Sequence, residues 1–289
     1  MLNIIVAPYD YNSLGERYAK RIVKYLKSQQ VEYSVYFSFN FEQIKENVKQ
    51  LISFGENEFV VVGDDVVLNT VMSSIKDLSK VKIGIVPTSK RDDFASYLGV
   101  SANPIQAIKD ILLRHVENVD VMLVNDMIVL NNVIVGASVE VFHQFSQYKM
   151  KNFITEKFAT AKHGNNFQGV ELSLETKNKA KKETIFELVV ANGGLSKGKP
   201  VSPLSNLQDG LFNVTYSTNA SFEGRKKFIK RFNKGEHIYD ENTKQHWMNQ
   251  LKITNPEKKI KALIDGKIHN LEQLNISIIE SGLKIYKKS

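Results

Sequence analysis

The sequence predicts an α/β protein in two parts: a doubly wound parallel-sheet domain over residues 1–125, and a second domain rich in β-sandwich structure over residues 126–289. Two observations support this. Short apolar runs alternate regularly with segments of helical periodicity up to about residue 125. Beyond it, strand-like stretches separated by Asn, Gly, Lys and Pro turns dominate. The prediction leaves open whether the C-terminal strand returns to the first domain.

The first part shows a strand–helix alternation. Buried strands are predicted where β-branched residues run together, and helices where apolar residues recur every three or four positions. The expected strands are 2–7, 32–38, 58–62 and 82–86, and the expected helices are 13–29, 41–54, 66–75 and 105–114. Ligands bind such sheets beyond the carboxyl ends of their strands, so the turns after Val62 and Val86 are the places to look for chemistry.

The second part is predicted to form mostly strands. They are expected at 119–124, 127–130, 133–141, 169–175, 184–191, 211–217, 261–264 and 275–279. Helices are expected at 142–158 and 222–234, the latter ending at Gly235. An antiparallel sandwich is the simplest arrangement of these elements.

Composition excludes several classes of protein. The 289 residues contain no cysteine, which removes disulfide scaffolds, thiolate zinc sites and cysteine nucleophiles. No apolar run reaches the roughly 20 residues of a membrane span, and the first residues lack a signal-peptide pattern. We therefore expect a cytoplasmic protein, with peripheral membrane association left open.

Charge is unevenly divided along the chain. Residues 1–125 hold 14 basic and 15 acidic residues, whereas the remainder holds 25 basic and 16 acidic ones, a net charge of +9. This excess indicates either an anionic partner such as a membrane surface or simply a soluble surface. No basic–aromatic pattern typical of a single-strand nucleic-acid platform accompanies it, so no nucleic acid is expected.

Five collinear motifs are the most specific feature of the sequence. They are Gly63-Asp64-Asp65-Val66-Val67-Leu68-Asn69, the block from Ile83 to Val100 containing Asp93-Phe94-Ala95, the strand aspartate Asp120, the segment from Asn192 to Asp209-Gly210-Leu211, and Asp265-Gly266-Lys267. Together they resemble the diacylglycerol kinase and sphingosine kinase catalytic-domain family, of the bacterial lipid kinase type, with degenerate motifs. The resemblance implies an α/β nucleotide domain followed by a β-sandwich domain.

The resemblance also implies the chemistry. Phosphoryl transfer depends on positioning and charge neutralisation, and Mg²⁺ prefers oxygen ligands. Carried over by position, the family pattern places ATP near Gly63, Asp64, Asp65, Asn69, Ser89, Lys90 and Arg91. It places a catalytic Mg²⁺ on Asp65, Asp93 and Asp120, and a structural Mg²⁺ on Asp209. Lys267 stands where the family has its glutamate base, so Asp65 is the candidate substitute base.

Three functions remain open from the sequence. The first is an ATP-dependent kinase that phosphorylates a hydroxyl lipid such as diacylglycerol at an anionic membrane surface. The second is a catalytically impaired relative that binds lipid, nucleotide or a partner protein, because Asp64, Val66 and Lys267 replace the family's residues. The third, less favoured, is an NAD kinase, which shares the first motif. A homodimer is also left open.

Overall fold

The computed structural model describes residues 1–8, 13–89, 92–177, 179–218 and 221–288. The chain divides into two compact units, Met1–Val121 with Ile279–Ser289, and Met122–Ile278. The predicted boundary at residue 125 lies close to this division, and the existence of two independent domains stays a prediction. Among the described residues, no helix combines the length and the apolar character needed to cross a bilayer.

The first unit alternates strands and helices as predicted. Its elements are β1 (Leu2–Val6), α1 (Ser13–Ser28), β2 (Tyr33–Phe37), α2 (Phe41–Ser53), β3 (Glu58–Gly63), α3 (Asp65–Met72), β4 (Lys82–Pro87), α4 (Asp93–Tyr97), α5 (Pro104–Leu112) and β5 (Val116–Val124), which runs past the division.

A parallel sheet in the order β2-β1-β3-β4 forms the centre of this unit. The C-terminal residues add a further parallel strand, in which Lys284 lies beside Lys82. One face packs on α1 and α5 through Ile22, Ile108 and the alternate residues of β1 and β3. Helices α2 and α3 each bury an apolar stripe as well. The carboxyl ends of β3 and β4 therefore lie side by side, with Gly63 opposite Pro87.

The second unit is mostly antiparallel. Its elements are β6 (Met127–Val129), β7 (Asn132–Gly136), α6 (Ala137–Ser146), α7 (Phe153–Ala159), β8 (Val170–Glu175), β9 (Ala180–Ile185), β10 (Glu187–Ala191), β11 (Leu195–Ser196), β12 (Lys199–Pro200), β13 (Phe212–Ser217), α8 (Phe222–Phe232), β14 (Thr243–Met248), β15 (Gln250–Thr254), β16 (Ile260–Ile264), β17 (Lys267–Leu271) and β18 (Gln273–Tyr286), whose end lies in the first unit.

Two sets of strands enclose the core of this unit. One is the antiparallel sheet β14-β13-β10-β7-β16-β17, and the other contains β15 between β8 and the first half of β18. Leu188 and Val190 of β10 face a core shared with Leu172 and Ile253 of the other set. The alternate residues Val189 and Ala191 lie with Phe228 of α8 in a separate cluster. The predicted α/β fold with a parallel sheet followed by a β-sandwich-rich part is thus confirmed.

Three local predictions are wrong, at two places in the second unit. The strand predicted over 133–141 ends at Gly136, whose φ of +128° turns the chain into α6, and residues 142–158 form parts of two helices rather than one. The strand predicted over 184–191 divides at Phe186 into β9 and β10, which belong to different sheets. In both places the Val-rich sequence suggests continuity, but Phe186 and Val139 are buried in the helix-side cluster. The strand predictions also do not include β14, β15 and β17.

Candidate functional site

The turn after β3 is formed by Gly63 and Asp64. Asp64 is the N-cap of α3, and its carboxylate Oδ1 accepts the N–H groups of Val66 and Val67, each at 3.1 Å. A helix N-terminus exposes such N–H groups and favours negative charge, which is why phosphates bind there. In this chain, the Asp64 side chain occupies these two donors itself.

Position 63 requires a glycine because of packing, not because its backbone has a positive φ. A Cβ atom at this position would lie 2.5 Å from the Cβ of Val67, which is fully buried. Val66 and Val67 lie within α3, and neither has a positive φ. The valines that replace the family's glycine and threonine are therefore accommodated without backbone strain, because the first turn of the helix already begins at Asp65.

Asp92 organises the loop after β4. Its carboxylate Oδ2 accepts the N–H of Ser89 at 2.9 Å, and the backbone N–H of Asp65 also donates to this carboxylate. Asp92 is only 3% exposed. The pKa of Asp92 is raised to about 7, chiefly by burial and in part by the negative charge of Asp64, and the backbone hydrogen bonds oppose both effects.

Asp65 completes a reciprocal contact between the two loops. While the Asp65 N–H donates to Asp92, the Asp65 carboxylate Oδ2 accepts the N–H of Phe94 at 3.2 Å, at the start of α4. Asp93 is the first residue of α4, next to this contact. The structure therefore brings the first two motifs together through Asp65 and Asp92. We call this contact between the two loops, made by Asp65 and Asp92, the aspartate clasp.

Of the four other residues predicted to bind ATP, the structure describes two. Asn69 lies on α3, where its side-chain oxygen accepts the hydroxyl of Ser73 at 3.1 Å. Ser89 is exposed and contributes its backbone N–H to Asp92. Lys90 and Arg91 lie outside the described residues.

Asp120 has a separate structural contact. It is 2% exposed, and its carboxylate Oδ1 accepts the N–H of Ser281 at 2.7 Å. Ser281 has a φ of +51°, an unusual conformation for a residue other than glycine. The Asp120 carboxylate thus fixes a kink in the C-terminal strand.

The three predicted magnesium ligands do not form a cation site as they lie. Within the part of the chain that the structure describes, no three His, Asp or Glu side chains are grouped closely enough to hold a metal ion. Asp65 and Asp120 each direct a carboxylate oxygen at a backbone N–H instead. The Mg²⁺ site on Asp65, Asp93 and Asp120 stays a prediction.

In the second unit, Asp209 forms a local turn. It is exposed, and its carboxylate Oδ1 accepts the N–H of Leu211 at 3.0 Å across Gly210, whose φ is +70°. An aspartate that bonds the N–H two residues ahead is the usual Asx turn. A structural Mg²⁺ on Asp209 stays a prediction.

The Asp265-Gly266 turn joins β16 to β17. Both residues have positive φ, +42° and +78°, as a two-residue hairpin turn requires. The Asp265 carboxylate accepts three backbone N–H groups, from Leu130 at 2.7 Å, Asn131 at 2.9 Å and Asn132 at 3.1 Å. Its role is therefore to hold the chain before β7 against this hairpin.

Lys267 begins β17, pairs with Ile264 across the hairpin and is exposed. Burial lowers the pKa of the nearby His269, and the positive charge of Lys267 lowers it further. The assignment of Lys267 to the position of the family's base stays a prediction.

Sequence reasoning misses two residues of these sites. It singles out Asp93 rather than Asp92 in the second motif, although an aspartate at a loop end commonly accepts backbone N–H groups. It interprets Asp265 only as a neighbour of Lys267, although an Asp-Gly pair between two apolar runs is the hairpin signal. In both cases local turn chemistry is the signal that could have found them.

Comparisons with known proteins agree with the fold. Residues 2–124 match the sequence model of the family described as "Diacylglycerol kinase catalytic domain". A Staphylococcus haemolyticus protein named "Putative lipid kinase" is 26% identical over 231 residues, covering 78% of this chain and 75% of that one. A "Diacylglycerol kinase" of Bacillus subtilis is 22% identical over 214 residues, covering 72% of this chain and 70% of that one.

Solved structures extend the likeness to nearly the whole chain. A "putative diacylglycerol kinase" from Bacillus anthracis superimposes with a TM-score of 0.77 at 18% identity, covering 99% of this chain and 96% of that one. An NAD kinase from Archaeoglobus fulgidus is more distant, with a TM-score of 0.50 at 14% identity. These comparisons confirm that the chain resembles the diacylglycerol kinase catalytic-domain family of bacterial lipid kinases.

Proposed function

We propose that this protein transfers the γ-phosphoryl group of ATP to the hydroxyl of a lipid such as diacylglycerol. The observation that carries the proposal is the match of residues 2–124 to the catalytic domain, together with the aspartate clasp that brings its first two motifs into contact. In this reaction the lipid hydroxyl oxygen attacks the γ-phosphorus, the bond from phosphorus to the β–γ bridging oxygen breaks, and ADP leaves.

The hydroxyl proton needs an acceptor. Asp65 is the proposed one, because it is a motif aspartate at the carboxyl end of β3 and because Lys267 replaces the family's glutamate. The hydrogen bond from Phe94 N–H to Oδ2 fixes the orientation of this carboxylate. Asp65 would thus both orient the second loop and accept the proton.

Phosphate transfer to lipid tests the proposal. Purified protein is incubated with Mg·[γ-³²P]ATP and diacylglycerol in mixed micelles, and labelled lipid is separated and counted. Asp65→Asn retains the size of the side chain, so a loss of at least about 100-fold is expected if the carboxylate accepts the proton. Glu42→Gln, at an exposed position on α2, is the matched control and should leave the rate unchanged. Absence of labelled lipid above a protein-free control would reject the kinase reaction, whereas equal labelling by the wild type and Asp65→Asn would reject Asp65 as the proton acceptor.

A second candidate is a relative that binds a ligand without turnover. It is favoured by the Asp64 carboxylate, which occupies the two N–H donors that begin α3, and by the carboxylates already bonded to backbone N–H groups. Calorimetry with Mg·ATP separates the two functions when Asp64→Gly, which removes the carboxylate, is measured beside the wild type. Binding of Mg·ATP by the wild type without labelled lipid would favour a nucleotide-binding relative. Binding gained only in Asp64→Gly would show that the Asp64 carboxylate excludes the nucleotide, and would leave lipid or a partner protein as the ligand.

A further inference from the structure

A short stretch of the second unit exposes an unusual set of apolar side chains. Around α7, Met150 is 67% exposed, Phe153 67%, Ile154 75% and Phe158 56%. Single exposed apolar residues are normal on protein surfaces, but four large ones within nine residues form a continuous stretch that water solvates poorly. The α7 face is our name for eight residues: these four apolar ones and the four lysines around them, Lys149, Lys151, Lys157 and Lys162.

The helix is anchored from its opposite side. At 100° per residue, Phe153, Ile154, Lys157 and Phe158 fall within an arc of about 140°. Ala159 lies outside this arc and is fully buried. Asn152 and Thr155 form a capping box that fixes the start of α7. The α7 face therefore points outward on a helix whose orientation is already set.

Charge around the α7 face has one dominant sign. Residues 149–162 contain four lysines and one acidic residue, Glu156, which pairs with Lys199 at 3.3 Å. The Lys157 Nζ lies 4.2 Å from the centre of the Phe153 ring, and the Lys162 Nζ lies 5.8 Å from that of Phe158. Lysines beside exposed aromatic rings are the arrangement by which interfacial helices place rings among acyl chains and ammonium groups among headgroups.

We propose that the α7 face docks on an anionic lipid bilayer, with Phe153, Ile154 and Phe158 entering the headgroup–acyl boundary and the lysines contacting anionic headgroups. A second copy of this chain fits the charge less well, because a two-fold contact through this face would bring the same lysines together. The use of this contact for catalysis rests on the proposed lipid kinase function, whereas the contact itself does not.

The test is a vesicle flotation assay without nucleotide or diacylglycerol. Vesicles of phosphatidylcholine with phosphatidylglycerol are compared with vesicles of phosphatidylcholine alone. We expect the wild type to float with the anionic vesicles and Phe153→Ser/Phe158→Ser to bind at least about tenfold more weakly. Phe54→Ser, at a 73% exposed phenylalanine of the first unit, is the matched apolar control and should bind as the wild type does.

Charge is tested separately. Lys151→Glu/Lys157→Glu should weaken binding to anionic vesicles by about tenfold or more, and added salt should reduce wild-type binding. Lys177→Glu/Lys179→Glu, at exposed lysines on another part of the second unit, is the matched control.

Two outcomes would overturn the docking proposal. One is vesicle binding that is unchanged in both α7 variants. The other is a wild-type dimer in analytical ultracentrifugation that Phe153→Ser/Phe158→Ser converts to monomer, since the α7 face would then be covered by a second copy. Because the assay contains no phosphoryl donor, a failed kinase assay with intact flotation rejects only the kinase function. Failed flotation with intact phosphorylation of micellar lipid rejects only the docking.

Discussion

The turn after β3 and the turn after β16 use aspartates in the same physical way but differ in their relation to the family pattern. Asp265 stands at a motif position and binds three backbone N–H groups. Asp64 replaces a glycine of the motif and binds two. An aspartate retained at a motif position therefore need not be available to a ligand, and an unexpected one can occupy a place that a ligand would need.

The two units also differ in their buried acids. Asp92 lies beside Asp64 and Asp65 in the aspartate clasp, whereas Glu187 lies against the start of α6, where Ser138 N–H donates to Oε2 at 2.9 Å. Burial raises the pKa of Glu187 to about 8, and hydrogen bonds from Ser138 and Ala137 oppose this. Within the described residues, the other carboxyl oxygen of Glu187 has no hydrogen-bond partner. Each unit thus contains one buried acid whose pKa burial raises toward or above neutral pH.

The largest expected effect comes from Asp265→Ala. It leaves three N–H groups at or near the buried start of β7 without their acceptor, and each costs about 1–3 kcal/mol, so we expect a loss of about 4 kcal/mol in the free energy of unfolding. Urea unfolding at constant pH measures it. Asp265→Asn keeps one acceptor oxygen and should lose less than half as much. Equal losses in the two variants would show that the negative charge, rather than the acceptor geometry, matters at this turn.

Glu187→Gln should change the pH dependence of stability. A carboxyl whose folded pKa is raised from 4.5 to about 8 stabilises the fold at low pH, and this contribution is lost as pH rises through that window. Between about pH 6 and pH 7.5 the wild type should therefore lose about 2 kcal/mol relative to Glu187→Gln. Urea unfolding at both pH values measures this difference.

His237 acts in the opposite direction and provides a check. Burial lowers its pKa to about 4, so its contribution is present above the unfolded value of 6.5 and is lost as pH falls toward 4. Since His237 is common to both proteins, it cancels from the difference. Parallel stability curves for the wild type and Glu187→Gln would show that Glu187 does not titrate in this range.

Asp92→Asn should change the pH dependence of stability in the same direction as Glu187→Gln, but by less. The folded pKa of Asp92 is raised from 3.8 to about 7, so its stabilising contribution disappears as pH rises from about 4 to 7. Between about pH 6 and pH 7.5, we expect the wild type to lose about 1 kcal/mol relative to the variant. Adding Asp64→Asn should reduce the difference, because the charge of Asp64 contributes to the shift. An unaltered difference would remove Asp64 as a cause.

Substitutions at Asp64 should have the smallest effects, with Asp64→Asn below all the others. Loss of the N-cap carboxylate in Asp64→Ala costs about 1 kcal/mol, whereas Asp64→Asn retains the acceptor and should cost only a few tenths. Urea unfolding of the two variants measures both. A loss well above the range for an N-cap would mean that Asp64 supports the aspartate clasp as well as α3.

Much of the fold could be predicted from the sequence. The alternation in residues 1–125 follows from apolar periodicity, and the Asp-Gly pair at 265–266 marks a hairpin through its turn chemistry alone. Prediction failed after Gly136 because the valines there are compatible with both strand and helix. It failed at Phe186 because one run of strand-forming residues is divided between two sheets. Phe186 and Val139 both belong to the buried cluster around Phe228, which joins residues distant in sequence.

The resemblance to the diacylglycerol kinase catalytic-domain family follows from the amino-acid sequence alone, because the motif residues and their order can be read along the chain. The excess of basic residues after residue 125 follows from the sequence as well. What each carboxylate does depends on the fold: Asp92 bonds Asp65 across two loops, and Asp120 bonds Ser281 from 161 positions away. This is because a buried carboxylate takes the donors that folding brings to it, and those donors lie on other elements of the chain.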